Sequence, residues 1–404
     1  MPGVVIAGAG QAGFQLAVSL RTEGFAESIT LIGDEPELPY NRPPLSKAFL
    51  MGQEPEEDLP FRPASFFEEH HIRMLMGVRV TAIDRLAKSV HLHTSESIPY
   101  ETLVLATGAR VRPITLEPVP GLIYLRTVAD ARDFKERLVD TPSLIAIGAG
   151  FIGLEAAAAG SKLGKRVTVI AAEDRPMSRV VSPIVSDYFL NLHQRHNVEL
   201  HLNKLVDRIE PGLRVLLQSG KIVESPLVIA GIGVTPNIDL AESVGVAVSN
   251  GITVDRYLRT ADDSIFAIGD CASHPNRFSP EPACRLESVQ NAVDQARCVA
   301  ATIAGKPRAY EMVPWFWTEQ FDAKLQIAGL PYVCDEYILR GTPATGAFSV
   351  FGFRNGALAA VESVNRPVDH IQARKMLELG APLTQSQAAD PSFDLKPLAR
   401  PQHK

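Results

Sequence analysis

The sequence predicts an α/β fold of two Rossmann-like units followed by a small C-terminal α+β domain with an antiparallel sheet. Three observations predict it. A glycine fingerprint occurs twice, as Gly8-Ala9-Gly10-Gln11-Ala12-Gly13 and as Gly148-Ala149-Gly150-Phe151-Ile152-Gly153. Each copy follows an apolar run, Val4-Val5-Ile6-Ala7 or Leu144-Ile145-Ala146-Ile147, and opens a small-residue helical stretch. After Pro314 the pattern changes to alternating apolar runs such as Gly346-Ala347-Phe348-Ser349-Val350-Phe351-Gly352-Phe353, which read as antiparallel strands.

The fingerprint has a physical reason at each glycine. One makes a tight turn, one lets a pyrophosphate approach the backbone, and one lets helix and strand pack closely. The phosphates then meet the free N–H groups and the positive end of the helix. Two copies point to two dinucleotides in one molecule, the minimum for passing electrons from one to the other.

The elements follow in order. Residues 1–34 read as strand, glycine turn, helix and strand, ending in Ile29-Thr30-Leu31-Ile32-Gly33-Asp34-Glu35. A proline-rich loop runs from Pro36 to Pro44, and Lys47, after a Pro-Pro-Leu-Ser turn, is placed at the start of a helix. An apolar strand and turn, Leu103-Val104-Leu105-Ala106-Thr107-Gly108, suits a sheet buried on both faces. The second unit begins near Arg112 and Pro113. It carries a helix from Phe151 to about Leu163, a strand at Val167-Thr168-Val169-Ile170, and a strand–glycine turn, Leu227-Val228-Ile229-Ala230-Gly231-Ile232-Gly233. That plan repeats the first unit weakly. After Thr235-Pro236-Asn237 the chain returns to the first unit through Ile265-Phe266-Ala267-Ile268-Gly269-Asp270 and a helix from Ser288 to about Ile303. The expected domains are 1–112 with 236–313, then 113–235, then 314–404. The last dozen residues, rich in proline and charge, are expected to fray.

Composition excludes several classes. The chain of 404 residues is too long for one ordinary core, and its 46% hydrophobic and 21% charged residues are average for a globular protein. No apolar run approaches the roughly 20 residues needed to span a bilayer. A strand from Val4 leaves no room for a signal peptide, so a cytoplasmic protein is expected. The net charge of −6 lacks the basic footprint of generic nucleic-acid binding. Cys271, Cys284, Cys298 and Cys334 match no zinc or iron–sulfur spacing, so no metal is expected. No cysteine pair lies in Asn41-Arg42-Pro43-Pro44-Leu45-Ser46-Lys47, where disulfide reductases of flavin type carry one. Thiol relay chemistry is therefore not expected.

Several residues have two readings. Asp34 and Glu35 end the strand after the first fingerprint, where a carboxylate accepts the ribose hydroxyls. The second copy is less complete: Glu173 lies about 20 positions beyond Gly153, past the expected strand end. Glu155 is placed in the first helical turn, either serving the helix dipole or a ligand. Lys47 is either a solvated lysine or a ligand of the shaped loop before it. Gly269-Asp270 is either a plain turn or a contact to a ligand hydroxyl. Trp315 and Trp317, the only tryptophans, point to one face of a strand, as core or as a cap over a flavin.

Taken together, these residues resemble the FAD-dependent ferredoxin reductases of the putidaredoxin reductase type. The resemblance is carried by Leu38-Pro39-Tyr40-Asn41-Arg42-Pro43-Pro44-Leu45-Ser46-Lys47, the double fingerprint, Phe266-Ala267-Ile268-Gly269-Asp270-Cys271, Glu287-Ser288-Val289-Gln290-Asn291-Ala292 and Pro314-Trp315-Phe316-Trp317, and it covers essentially the whole chain. It implies FAD on the first fingerprint, with Gly8, Gly10, Ala12, Gly13, Asp34 or Glu35, Arg42, Lys47, Val80, Ala106, Thr107, Gly108, Arg126, Gly269, Asp270, Glu287, Ser288 and Val289 as its contacts. It implies a nicotinamide dinucleotide on the second, at Gly148, Gly150, Phe151, Ile152, Gly153, Glu155, Glu173, Gly231 and Gly233. Lys47 would sit near the reactive flavin nitrogen and pair with Glu155, which would also hold the nicotinamide amide. Trp317 would lie between the flavin and a bound ferredoxin, and Arg297 is a candidate contact to that acidic partner. One departure counts: aligned on Arg175, the family's ribose-binding glutamate falls on Ala171. Carboxylates nearby would still repel the extra phosphate of NADPH, so NADH is the expected coenzyme.

The reaction implied is transfer from NADH to FAD and then, one electron at a time, to a small two-iron ferredoxin serving a haem monooxygenase or a ring-hydroxylating dioxygenase. The rivals are a rubredoxin or small quinone-like acceptor, and a redox-sensing protein like the apoptosis-inducing-factor relatives of this fold. Those bind nucleic acid through basic surface, against which an isoelectric point near 6.0 argues. A monomer or weak dimer is expected.

Overall fold

The computed structural model describes residues 3–115 and 117–401. They divide into two compact units. The first is formed by 1–41, 57–110 and 235–314, and the second by 42–56, 111–234 and 315–404. The segments expected as a nucleotide domain at 113–235 and a terminal domain at 314–404 thus fall in one unit. It also takes in the stretch 42–56, which lies within the segment 1–112 expected for the first.

In the first unit the strands lie in the order Ile265–Ala267, Thr102–Leu105, Val4–Ala7, Ile29–Gly33 and Ile72–Met76, all parallel. Val4–Ala7 and Ile29–Gly33 are buried at every position, as a central parallel sheet covered on both faces demands. The helix Gln11–Thr22 packs against the helix Val289–Ile303, whose N-cap is Ser288.

The second unit repeats the plan. Its parallel sheet runs Val198–His201, Arg166–Ile170, Ser143–Ile147, Val228–Ala230 and Leu122–Ile123. A three-stranded antiparallel sheet is inserted between corresponding strands of each unit, Val80–Asp84 with Ser89–Leu92 and Ser97–Pro99, and Val206–Glu210 with Arg214–Leu217 and Ile222–Glu224. Neither insertion was predicted, because short strands of mixed polarity carry little periodic signal.

The terminal region holds a five-stranded antiparallel sheet in the order Trp315–Gln320, Ala323–Gly329, Ala357–Val364, Ala347–Arg354 and Glu336–Thr342. The helix Pro367–Leu379 packs on it. The expected fraying is corrected as far as residue 401. Leu395 is buried, and the Arg340 guanidinium binds the carbonyls of Asp390, Pro391 and Phe393. An arginine with five fixed donors ties down a segment that has no regular structure of its own. Residues 402–404 lie outside the described residues. Among the described residues, no helix is long and apolar enough to cross a membrane.

Candidate active site

The two fingerprints are built alike, atom by atom. At Gly8, with φ +119°, a Cβ would stand 2.1 Å from the Ala106 carbonyl oxygen, and at Gly148, with φ +102°, 2.4 Å from that of Gly231. At Gly13 a Cβ would stand 1.9 Å from the Gly8 oxygen, and at Gly153, 2.0 Å from the Gly148 oxygen. So the first and third glycines are required by backbone that passes too close for any side chain. The second differs: a Cβ on Gly10 meets nothing within 4 Å, and one on Gly150 only reaches the Gly231 oxygen at 4.0 Å. Each of these open glycines is the N-cap of its helix, and neither helix has a side-chain cap. The first-turn N–H groups therefore have no internal acceptor. Open space beside uncapped donors is what a pyrophosphate needs, so the residues present fit a dinucleotide at both places.

The next strand is matched as closely. The Gly8 amide donates to the Ile32 oxygen at 2.8 Å, and the Gly148 amide to the Ile170 oxygen at 2.7 Å. Downstream, Gly77 and Val78 donate to the Glu35 and Gly33 oxygens, while Asn203 and Lys204 donate to those of Glu173 and Ala171. In this ladder Glu173 takes the place of Glu35, and Ala171 that of Gly33. Ala171 is buried directly after the strand, where no side chain reaches out. Glu35 accepts from the Tyr40 hydroxyl at 2.5 Å, Asp34 lies exposed 3.7 Å from Arg79, and Glu173 lies 3.4 Å from Arg179.

Among the predicted residues of the first unit, Gly269 and the helix starts lie beside its fingerprint. Gly269, with φ +77°, opens a 3-10 turn containing Asp270, and a Cβ on it would stand 3.1 Å from Ala12 and 3.9 Å from Ala292. The first turns of both packed helices therefore meet at this turn. The Gly269 amide is held by Gln295 at 2.7 Å, and Arg285 binds the Asp270 oxygen and the Glu287 carboxylate. Ser288 is occupied as a cap, accepting from the Asn291 amide, and Val289 opens the helix. Thr107 exchanges hydrogen bonds with Asn237, beside Gly108 at φ +65°. Val80 is buried at the start of its hairpin. Arg297 is exposed, 3.4 Å from Asp294.

In the second unit, Lys47 and Glu155 are brought together from 108 positions apart, with Nζ 2.7 Å from Oε2. Two expectations are corrected here. Lys47 does not start a helix; it closes the 3-10 turn Pro43–Ser46, because two prolines favour a tight turn and further turns follow. Glu155 is not in the first turn of its helix. It is the fifth residue of Phe151–Lys162, turned inward and 3% exposed, so it serves the partly exposed Lys47 ammonium rather than the helix dipole. Arg42 donates to the Arg126 oxygen at 2.6 Å, beside the helix cap formed by Thr127 and Asp130. Phe151 packs on Phe316 with ring centroids 4.5 Å apart, Ile152 is exposed, and Gly233 adopts φ +105°. Trp315 and Trp317 share a face as expected, with centroids 5.5 Å apart, and the Arg374 guanidinium covers Trp315 at 4.8 Å.

Sequence reasoning gave no role to three residues that the structure places around Glu155. Ser46 donates to Oε2 at 2.5 Å, Thr318 donates to Oε1 at 2.6 Å, and Gln320 binds Thr318. Alternation along the strand was a usable signal, since Thr318 must face away from the tryptophans. The four cysteines are free, and burial raises each thiol, to about 11 for Cys284 and Cys298 and about 12 for Cys334. No thiolate is at hand for relay chemistry at neutral pH.

The pyridine nucleotide-disulphide oxidoreductase family model matches residues 2–296, and the reductase C-terminal model matches 315–399. The chain belongs to the pyridine nucleotide-disulphide oxidoreductase family. This reductase is 50% identical to rhodocoxin reductase of Rhodococcus erythropolis over 409 residues, covering 99% of this chain and 95% of that one. It superposes with a TM-score of 0.95 on the ferredoxin reductase for the CYP199A2 system from Rhodopseudomonas palustris, at 44% identity and covering 99% and 100% of the two chains. The score is again 0.95 for the covalent putidaredoxin reductase–putidaredoxin complex, at 36% identity and 98% of each chain. The enzyme is an oxidoreductase that uses FAD and a nicotinamide dinucleotide.

Proposed function

We propose that this reductase draws electrons from NADH through FAD and delivers them to a small acidic two-iron ferredoxin, which serves a haem monooxygenase or a ring-hydroxylating dioxygenase. The observation that carries the reading is the pairing of Lys47 with the buried Glu155 at 2.7 Å, one residue along the strand from Trp317 through Thr318. When bound, the flavin accepts electrons as a pair from the nicotinamide and releases them singly to an iron–sulfur acceptor.

The chain's residues supply orientation and electrostatics. Lys47 keeps a fixed cation where negative charge develops, and its amine is held by Glu155 and the Pro43 oxygen. Glu155 would hold the amide end of the coenzyme, because its carboxylate is fixed from both sides before any ligand arrives. Gly148, Gly150 and Gly153 would admit the pyrophosphate. Glu173, in the ladder position of Glu35, would accept the ribose hydroxyls and repel a 2′-phosphate, which supports NADH over NADPH. Trp317 would stand on the route to the acceptor, and Arg297 is available to an acidic surface. We assign FAD to 1–112 and 236–313, the coenzyme to 113–235 and the partner face to 314–404, in a cytoplasmic monomer or weak dimer.

Turnover tests this. NADH, a candidate ferredoxin and cytochrome c are mixed with the holoenzyme. Ferredoxin-dependent acceleration of cytochrome c reduction is expected. A long-lived NADH complex that no ferredoxin discharges would sink the reductase reading, and acceleration by rubredoxin alone would change the acceptor.

A further inference from the structure

Behind Glu155 lies a chain of hydrogen bonds that the reaction above does not employ. Thr318 Oγ1 donates to Glu155 Oε1 at 2.6 Å, Gln320 Nε2 donates to Thr318 Oγ1 at 3.2 Å, and His193 Nε2 lies 2.8 Å from Gln320 Oε1. The directions are forced. A carboxylate only accepts, so the single hydroxyl hydrogen of Thr318 goes to Glu155 and its lone pair meets the Gln320 amide. The Gln320 oxygen is then an acceptor, and His193 carries its proton on Nε2. Its unprotonated Nδ1 is a buried acceptor with no partner, and burial pushes the imidazole down to about 4, so the ring is neutral at neutral pH. Every bond in the chain donates toward Glu155.

The chain is fully interior. Thr318 and His193 are 0% exposed and Gln320 is 1% exposed. Polar side chains that deep are costly unless hydrogen-bonded, and each of the three is bonded to the next, with His193 Nδ1 left without a partner at the far end. Thr318 is the donor recorded on Oε1, whereas Oε2 has Ser46 and Lys47. Without the Thr318 hydroxyl, Oε1 loses the hydrogen bond that holds it opposite the Ser46 and Lys47 side.

We propose that Thr318, backed by Gln320 and His193, is a positioning residue that sets the orientation of the Glu155 carboxylate for the coenzyme and joins it to the strand bearing Trp315 and Trp317. The inference rests on the role given to Glu155 above. Thr318→Val keeps the shape and removes the hydroxyl; Thr318→Ser keeps the hydroxyl.

The test uses holoenzyme and reads NAD+ affinity by calorimetry together with the rate of flavin reduction by NADH. Val is expected to lower both about ten- to a hundredfold, the usual weight of a hydrogen bond to a charged group, while flavin content and reduction by dithionite hold. Ser is expected to restore most of the loss. A purely structural role would lower the melting temperature and leave NAD+ affinity alone. Wild-type behaviour of Val, or Ser no better than Val, overturns the inference. Glu155→Gln separates the two levels: if it also leaves affinity and reduction unchanged, the reading of Glu155 falls first. If Val does not fold, the pair Thr318→Ala and Thr318→Ser asks the same question of the hydroxyl.

Discussion

At the first fingerprint, the fifth strand of the sheet is Ile265–Ala267, which arrives late in the chain. At the second, the same place is taken by Leu122–Ile123, which precedes the fingerprint. The surroundings differ more than the topology. The buried polar residues of the first unit are neutral groups such as Thr30, His274, Gln290, Asn291 and Gln295. The second unit buries Glu155, Glu362 and Asp369, and among the described residues no other Asp or Glu is buried. One backbone device is therefore followed by a helix that buries no charged group in one copy and by a helix that buries Glu155 in the other. A glycine turn makes a dinucleotide site; the groups behind it decide whether chemistry is tuned there.

The comparison breaks most sharply at the third glycines. Gly13→Val and Gly153→Val each force a side chain into backbone less than 3 Å away. We expect the first to yield protein without flavin and the second to keep flavin but lose NAD+ binding, read from the ratio of flavin to protein absorbance and from calorimetry. The reverse pattern would mean that the two cofactors are assigned to the wrong copies.

Next in size is Lys47→Ala, which leaves the buried Glu155 charge uncompensated. Flavin should stay bound while stopped-flow reduction by NADH slows about a hundredfold, the weight of one fixed charge or donor aimed at developing charge. An unchanged rate would remove Lys47 from the mechanism.

The charged interior of the second unit should also make stability depend on pH. Burial raises the Glu362 carboxyl from 4.5 to about 7, against the opposing pull of Ser182 and Arg175. A raised acid favours the folded state below pH 4.5 and loses that contribution as pH climbs through about 7. The difference amounts to about 3 kcal/mol at 1.36 kcal/mol per pH unit. Glu362→Gln, which keeps an acceptor for the Ser182 amide, should melt at a temperature that varies less between pH 5 and pH 8 than that of the wild type. Parallel melting curves for the two proteins would rule the group out.

The smallest effect sharpens the ladder equivalence of Glu35 and Glu173. Glu173→Gln should raise KM for NADH about tenfold and narrow the preference over NADPH, as loss of a charged hydrogen bond does. Glu35→Gln should instead weaken flavin retention. If Glu173→Gln leaves the two coenzymes as far apart as before, selectivity lies elsewhere.

The sequence by itself determined the two fingerprints, their strands and helices, and the antiparallel terminal sheet. Those features are local: a glycine is demanded by its own turn, and burial on both faces writes itself as an apolar run such as Leu103-Val104-Leu105. The helix start near Ser288 and the strand at Trp315–Trp317 were equally legible, each within a few residues, though Ser288 caps the helix rather than beginning it. Resemblance supplied the Lys47–Glu155 pair; local pattern did not, and it misplaced both ends. Only the tertiary structure decided that Glu155 faces inward, that it meets Lys47 from 108 positions away and Thr318 from 163, and that Glu173 rather than Ala171 stands where Glu35 does. Those contacts arise from how strands stack and pair. Hydrogen-bond partners joined across such separations leave no period in the chain, because what selects them is the need to satisfy a buried charge once the fold has enclosed it.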